Sequence, residues 1–151
     1  MAISVCEVLI TRSPLELPAR GADSASGAMV DFWGVVRGLE EGREITGIEY
    51  EAHREMAEHQ MRGIAESATS KFGLAKVVIH HRIGFVAAGE ASVVVRVESA
   101  RRAAAFGANQ WIMDELKQTV PIWKNPVYQE IGAPVAAGNL QDSLASRSVR
   151  A

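Results

Sequence analysis

The hydrophobic pattern along the chain changes period several times, and each change marks an element. Residues 3–11 (ISVCEVLIT) are rich in β-branched side chains and mostly alternate, which predicts a strand. The following SPLELPARGADS carries two prolines and small turn-forming residues and reads as a loop with room for one helical turn. A strand pattern returns over Ser26–Gly38, and Gly34 inside it predicts a bulge or a close backbone approach. LEEGRE reads as a polar loop. Over 45–52 the alternation is clean, with Ile48, Tyr50 and Ala52 on one face and Glu49 and Glu51 on the other. The period then becomes helical: Ala57, Met61, Ile64, Ala65, Ala68 and Phe72 share one stripe, which predicts an amphipathic helix over about 54–72, stopped by Gly73.

Residues 76–84 (KVVIHHRIG) predict another strand, after which FVAAGE turns the chain. The near-continuous apolar run of 91–99 predicts a strand in a central position. A second helix is expected over about 101–117, with Phe106, Met113 and Leu116 on one stripe. Pro121 disfavours helix in the residue before it. Residues 122–131 can form a strand that Pro126 confines to an edge or a bulge. From 45 onward the order strand, helix, strand, strand, helix, strand is that of a ferredoxin-like α+β fold, preceded by two extra strands. Residues 1–131 are expected to form a single domain, and the Gly/Ala/Ser-rich stretch 132–151 a mobile tail unless a partner holds it.

A chain of 151 residues suits one domain. Its net charge of −2 argues against general affinity for nucleic acid. An RNA-binding module would need strand aromatics on which to stack bases, and the strand at 91–99 has none. One cysteine, Cys6, excludes an intramolecular disulfide and fits a reducing compartment. The first residues lack a basic region, and no stretch approaches the roughly 18 apolar residues of a membrane helix. A cytoplasmic protein with no membrane contact is expected.

Against that acidic balance, Arg96–Tyr128 concentrates cations. Arg101 and Arg102 open the second helix, Lys117 closes it, and Lys124 follows Pro121 in an otherwise apolar IWK run. Guanidinium forks beside free amides at a helix start suit a phosphate or carboxylate. Two lysines held close would each favour the neutral form of the other, which makes a base or nucleophile near neutral pH. The blander readings are that Lys117 complements the helix dipole and that one arginine covers a helix face. Arg37, at the end of a strand, means little alone. No metal is expected: Glu49, Glu51 and His53 share a face, but nothing else supplies a ligand cluster. Of His80 and His81, which point to opposite faces, one is expected in the core or an interface. There is no Gly-rich phosphate loop, and no bound cofactor is expected.

Taken together, GAMVDFWGVVRG, IEYEAHREMAEHQM, HRIG followed by GE at 89–90, VESARRAAAF and LKQTVPIWK resemble the large, catalytic subunit of molybdopterin synthase, the MoaE family, over about residues 26–125. The resemblance implies an α/β-hammerhead-like α+β fold with an antiparallel sheet and two main helices. It implies a sulfurtransferase of molybdenum cofactor biosynthesis, which puts two dithiolene sulfurs into cyclic pyranopterin monophosphate. The donor would be a thiocarboxylate on the C-terminal glycine of a small ubiquitin-like sulfur-carrier subunit. It also implies a homodimer with one small subunit at each end, a heterotetramer. By position, Lys117 and Lys124 match the family's active-site lysines, Arg37 its strand-end arginine and Arg102 its helix-start arginine. Val35, Val36, Arg37, Arg101, Arg102, Asn125 and Pro126 are then expected to line the substrate site. The sulfur comes from the partner, so no catalytic cysteine is needed.

Two departures stand out. The family usually has histidine–arginine where this chain has Arg101–Arg102, and arginine cannot serve as a base. After Lys124 the chain continues NPVYQEIGAPVAAGN, unlike the family's usual charged pair and later tryptophan segment. An alternative is therefore a catalytically weakened paralogue that binds pterin phosphate or acts as a scaffold.

Overall fold

A computed structural model of the chain describes residues 4–19, 25–130 and 149–150. The elements run β1 (Val5–Thr11), β2 (Ala28–Val35), β3 (Leu39–Glu40), β4 (Arg43–Ala52), α1 (Arg54–Phe72), β5 (Lys76–Arg82), β6 (Gly84–Ala87), β7 (Ala91–Ser99), α2 (Arg102–Thr119), β8 (Ile122–Tyr128) and β9 (Val149–Arg150). The fold is α+β. One sheet has the order β1–β5–β7–β2, and a second runs β3–β4–β8–β9 with β6 also paired to β4. Both helices pack on the first sheet, α1 over β1 and β5 and α2 over β7 and β2.

β7 is central, as its apolar run predicts, with Ser92 to Val97 all buried. The expected antiparallel sheet is corrected at one seam. β1 lies parallel to β5, from Val5 opposite Lys76 to Thr11 opposite Arg82, while β5–β7 and β7–β2 are antiparallel. Alternation specifies which face a residue occupies but not the direction of its neighbour, and a long connection between β1 and β5 permits either.

Two loop expectations and one helix stripe also change. LEEGRE is a tight hairpin: Glu40 pairs with Arg43, and Glu41 (φ 50°) with Gly42 (φ 77°) forms a two-residue turn whose twist matches its strands. FVAAGE begins as a strand, because β6 pairs with Gly47–Tyr50 of β4. Gly84 (φ 84°) bends the chain between β5 in the first sheet and β6 in the second. In α2 the buried stripe is Ala105, Ala108, Asn109, Ile112 and Leu116, whereas Phe106 is 61% exposed. The buried stripe is turned by about one residue from the expected one, with Leu116 common to both: small alanines let α2 sit close on the sheet, and Phe106 points away.

α1 matches its pattern, burying Ala57, Met61, Ile64, Ala65 and Ala68. His53 caps it, its Nδ1 accepting from the Met56 amide at 3.3 Å, and Gly73 ends it at φ 67°. Pro126 lies opposite Ile48, beyond the Trp123–Lys124 stretch where β9 pairs with β8. The rest of the expected tail, 132–148 and 151, lies outside the described residues. No helix among the described residues is long and apolar enough to cross a membrane.

Two polar groups fix the layers. Arg96 donates to both carboxylate oxygens of Asp31 at 2.7 and 2.8 Å and to the Pro18 carbonyl at 2.7 Å, tying the first loop to the sheet. Buried Asn109 donates from Nδ2 to the carbonyls of Val30 (3.1 Å) and Val95 (3.0 Å), fixing α2 over the β2–β7 seam. Asn109→Ala removes both bonds and opens space at the seam. It should cost about 1–3 kcal/mol, read as a lower midpoint in urea denaturation with an unchanged slope.

Candidate functional site

At Gly34 the β2–β7 ladder slips. Gly34 pairs with Val93 and Val35 with Ala91, which leaves Ser92 unpaired in a bulge. Both readings of Gly34 hold at once, because a Cβ there would lie 2.5 Å from Val93 Cγ1. The bulge turns the end of β2 outward and opens a cavity of about 480 Å³ beneath the last turns of α2, a size suited to a small-molecule ligand. Its walls come from the end of β2, the β3 hairpin, β4, β5, β7, α2 and β8.

Lys117 reaches the wall from the last turn of α2, where a cation suits the helix dipole. Val120 ends the helix in an extended conformation, and Pro121 sends the chain into β8. Strand alternation then puts Ile122 and Lys124 on the cavity side. Arg37 follows β2. Its neighbour Val36 is pinned by the Val36 amide to the Glu90 carbonyl (2.9 Å) and the Gly89 amide to the Val36 carbonyl (2.8 Å). Lys124 Nζ sits 3.5 Å from Glu40 Oε1, so its immediate partner is a carboxylate rather than the second lysine.

The floor is made of groups whose roles the sequence did not reveal. Tyr50 and His81 meet edge to face with centroids 5.3 Å apart. Burial pushes the Tyr50 hydroxyl's pKa up, opposed by a hydrogen bond with Ser92 and reinforced by the Glu40 charge. His81 is buried, and that burial lowers its pKa to about 4 against a hydrogen bond to the Arg82 carbonyl. A carbonyl only accepts, so Nδ1 carries the proton at 2.8 Å, and Nε2 of the neutral ring is an acceptor. His80 points the other way, to Glu7 Oε2 at 2.9 Å. Tyr50 could have been found from the alternation of 45–52, which puts it beside Ile48 on the inner face. Glu40 carried no such signal.

Val35, Val36, Arg37, Lys117 and Lys124 therefore converge on one cavity. The remaining expected site residues do not line it within this one chain. Arg101 caps α2 without a side-chain bond, Arg102 begins the helix, and both are exposed. At 1.5 Å per residue they stand about 23 Å from Lys117 along the helix axis. Asn125 faces away from Lys124 by alternation, and Pro126 is buried opposite Ile48. Within one chain, the length of α2 keeps Arg101 and Arg102 apart from Lys117 and Lys124. Among the described residues no group of His, Cys, Asp and Glu is arranged to hold a metal.

The sequence model of one family, described as MoaE protein, matches residues 10–119. The chain belongs to the MoaE family. A molybdopterin synthase catalytic subunit of Thermoplasma volcanium is 40% identical over 117 residues, covering 78% of this chain and 85% of that one. The human molybdopterin synthase catalytic subunit is 39% identical over 104 residues, 69% of this chain and 55% of the human one. The chain thus spans only about half of that longer relative. The crystal structure of molybdopterin synthase from Staphylococcus aureus superposes with a TM-score of 0.75 at 30% identity, covering 81% of this chain and 91% of that one. The MoaE match includes the bulge, Arg37, both helix-start arginines and Lys117, and it stops before Lys124.

The buried His81 makes a pH prediction for this MoaE chain. Its folded pKa lies below the unfolded value of about 6.5, so below that value the unfolded chain takes up a proton that the folded one refuses. Stability should therefore fall as pH drops from 6.5 towards 4, by roughly 2–3 kcal/mol from this residue alone. His81→Gln should flatten that part of the profile, measured by denaturation midpoints at pH 7 and 4.5.

Proposed function

We propose that this chain is the large, catalytic subunit of a molybdopterin synthase. In this reading it is a cytoplasmic sulfurtransferase that puts two dithiolene sulfurs into cyclic pyranopterin monophosphate. The sulfur donor is the thiocarboxylate at the C-terminal glycine of a small ubiquitin-like carrier subunit. The observation that carries the reading is a pocket walled by Arg37, Lys117 and Lys124 in a MoaE-family chain whose net charge is −2. Local cations in an acidic protein select for an anion at that place.

The roles follow from chemistry. Once the thiocarboxylate sulfur has bonded to a substrate carbon, the two are joined as a thioester. Water then adds to its carbonyl, and the oxyanion so formed collapses by breaking the carrier's C–S bond. This leaves the sulfur on the substrate and a carboxylate, with its new oxygen from water, on the carrier. A lysine ammonium at the wall stabilises the oxyanion, and either lysine can carry the proton. A guanidinium suits the substrate's cyclic phosphate, as at Arg37.

The homodimer belongs to the same proposal, because one chain leaves Arg101 and Arg102 stranded. β2 is an edge strand, and both Phe32 and Trp33 on it are exposed. It begins at Ala28, opposite Ser99 and so near Arg101, and ends at Val35 beside the pocket. Two β2 strands paired antiparallel about a two-fold axis would bring the arginine end of one copy to the pocket end of the other. Arg101 and Arg102 then complete the partner's site as phosphate ligands.

Lys117→Ala should lower turnover by about 10²-fold or more, with the fold intact by circular dichroism. Wild-type turnover in that variant would sink the catalytic role. A random mixture of Lys117→Ala and Arg102→Ala chains, refolded together, should recover about a quarter of wild-type sites if the arginine acts across the dimer. No recovery would place both residues in one chain's site. Turnover with the carrier subunit also rules out the weakened-paralogue reading.

A further inference from the structure

Glu40 is the one carboxylate among the residues lining the pocket, whose charged groups are otherwise Arg37, Lys117 and Lys124, and the proposed chemistry does not use it. Its position is not accidental to a loose loop. The β3–β4 hairpin is closed by two consecutive residues at positive φ, Glu41 and Gly42, and by the pairing of Glu40 with Arg43. The side chain is drawn inward: Glu40 is 18% exposed and Lys124 26% exposed, and both line the cavity with Lys117 and Arg37.

The contact between them is long: Nζ and Oε1 are 3.5 Å apart, comparable with the exposed Arg54–Glu58 pair at 3.4 Å. Arg96 and Asp31, which serve the fold, form two bonds of 2.7 and 2.8 Å, and Arg82 and Glu90 meet at 2.7 Å. A structural ion pair is short and directional. One at 3.5 Å retains Coulomb attraction without tight geometry, so a better-placed anion can replace it.

The replacing anion is a carboxylate by the proposed chemistry. Glu40 offers Lys124 the same group, with the same charge and fork of two oxygens, that a carrier subunit's C-terminus presents. We propose that Glu40 is an internal competitor for Lys124: it holds the lysine while the pocket is empty, yields it to the carrier's C-terminal group, and recaptures it when the spent carboxylate must leave. Glu40 is thus a positioning residue acting through Lys124, and it makes no bond to the reacting atoms. The competitor weakens capture of the tail and speeds its release. This inference rests on the synthase reading above.

The test compares wild type with Glu40→Gln and Glu40→Asp in the full chain, mixed with cyclic pyranopterin monophosphate and a thiocarboxylated carrier. Glu40→Gln keeps the shape and loses the charge. It should lower the KM for the carrier about three- to tenfold and lower kcat, because product release slows. Glu40→Asp should lie between Gln and wild type. In a parallel titration, a peptide ending in Gly-Gly with a free carboxylate should bind Glu40→Gln more tightly by the same factor, and its C-terminal amide should not. A merely structural Glu40 would shift the denaturation midpoint and leave the carrier KM unchanged, and that result overturns the proposal. Tightening of inorganic phosphate alone overturns it as well, since the competitor would then belong to the pterin phosphate. Failure of the synthase reading is separate: wild type itself would then make no dithiolene product.

Discussion

The pocket depends on one slip in register. Where β2 and β7 pass Gly34, the strands lie too close for any side chain on that residue, and Ser92 is squeezed out of the ladder. The bulge has two effects that a regular ladder could not combine. It curls the end of β2 away from the sheet, so that Val36 and Arg37 stand beside α2. It also leaves a polar side chain, Ser92, facing Tyr50 at the floor. A larger residue at Gly34 would press the strands apart at the bulge that opens the cavity.

Around that opening the protein divides its charges by depth. The floor is neutral: burial disfavours ionisation of both Tyr50 and His81. The rim carries the cations and Glu40, where solvent keeps charge affordable. An anion entering such a site meets cations at the mouth and apolar or neutral polar groups below. This arrangement suits a ligand with a charged group at one end and a flat polar body at the other.

Much of this was legible in the sequence, for physical reasons. α1 has a clean helical period, β7 a run too apolar for any position but the centre, and Gly34 a reason to be glycine. Lys124 drew notice because a cation is unusual inside an apolar strand, and Lys117, ordinary in itself at a helix end, because it lies close to Lys124 along the chain. Other features were hidden. Glu41 at positive φ gives LEEGRE a hairpin turn without the Asn-Gly or Asp-Gly pair that normally announces one, so Glu40 read as loop. Phe106 looked like core because it is large and aromatic, yet α2 buries its alanines. Local pattern says that Arg101 and Lys117 share a helix. It does not say that a helix keeps its ends apart.

The distance between the two ends of α2 limits how the chain can vary. α2 is a spacer of 18 residues, about 27 Å long. One residue gained or lost within it would turn Lys117 about 100° around the axis, off the cavity wall, besides moving it along. Within α2 the number of residues thus decides where both ends of the helix stand, and which way Lys117 faces.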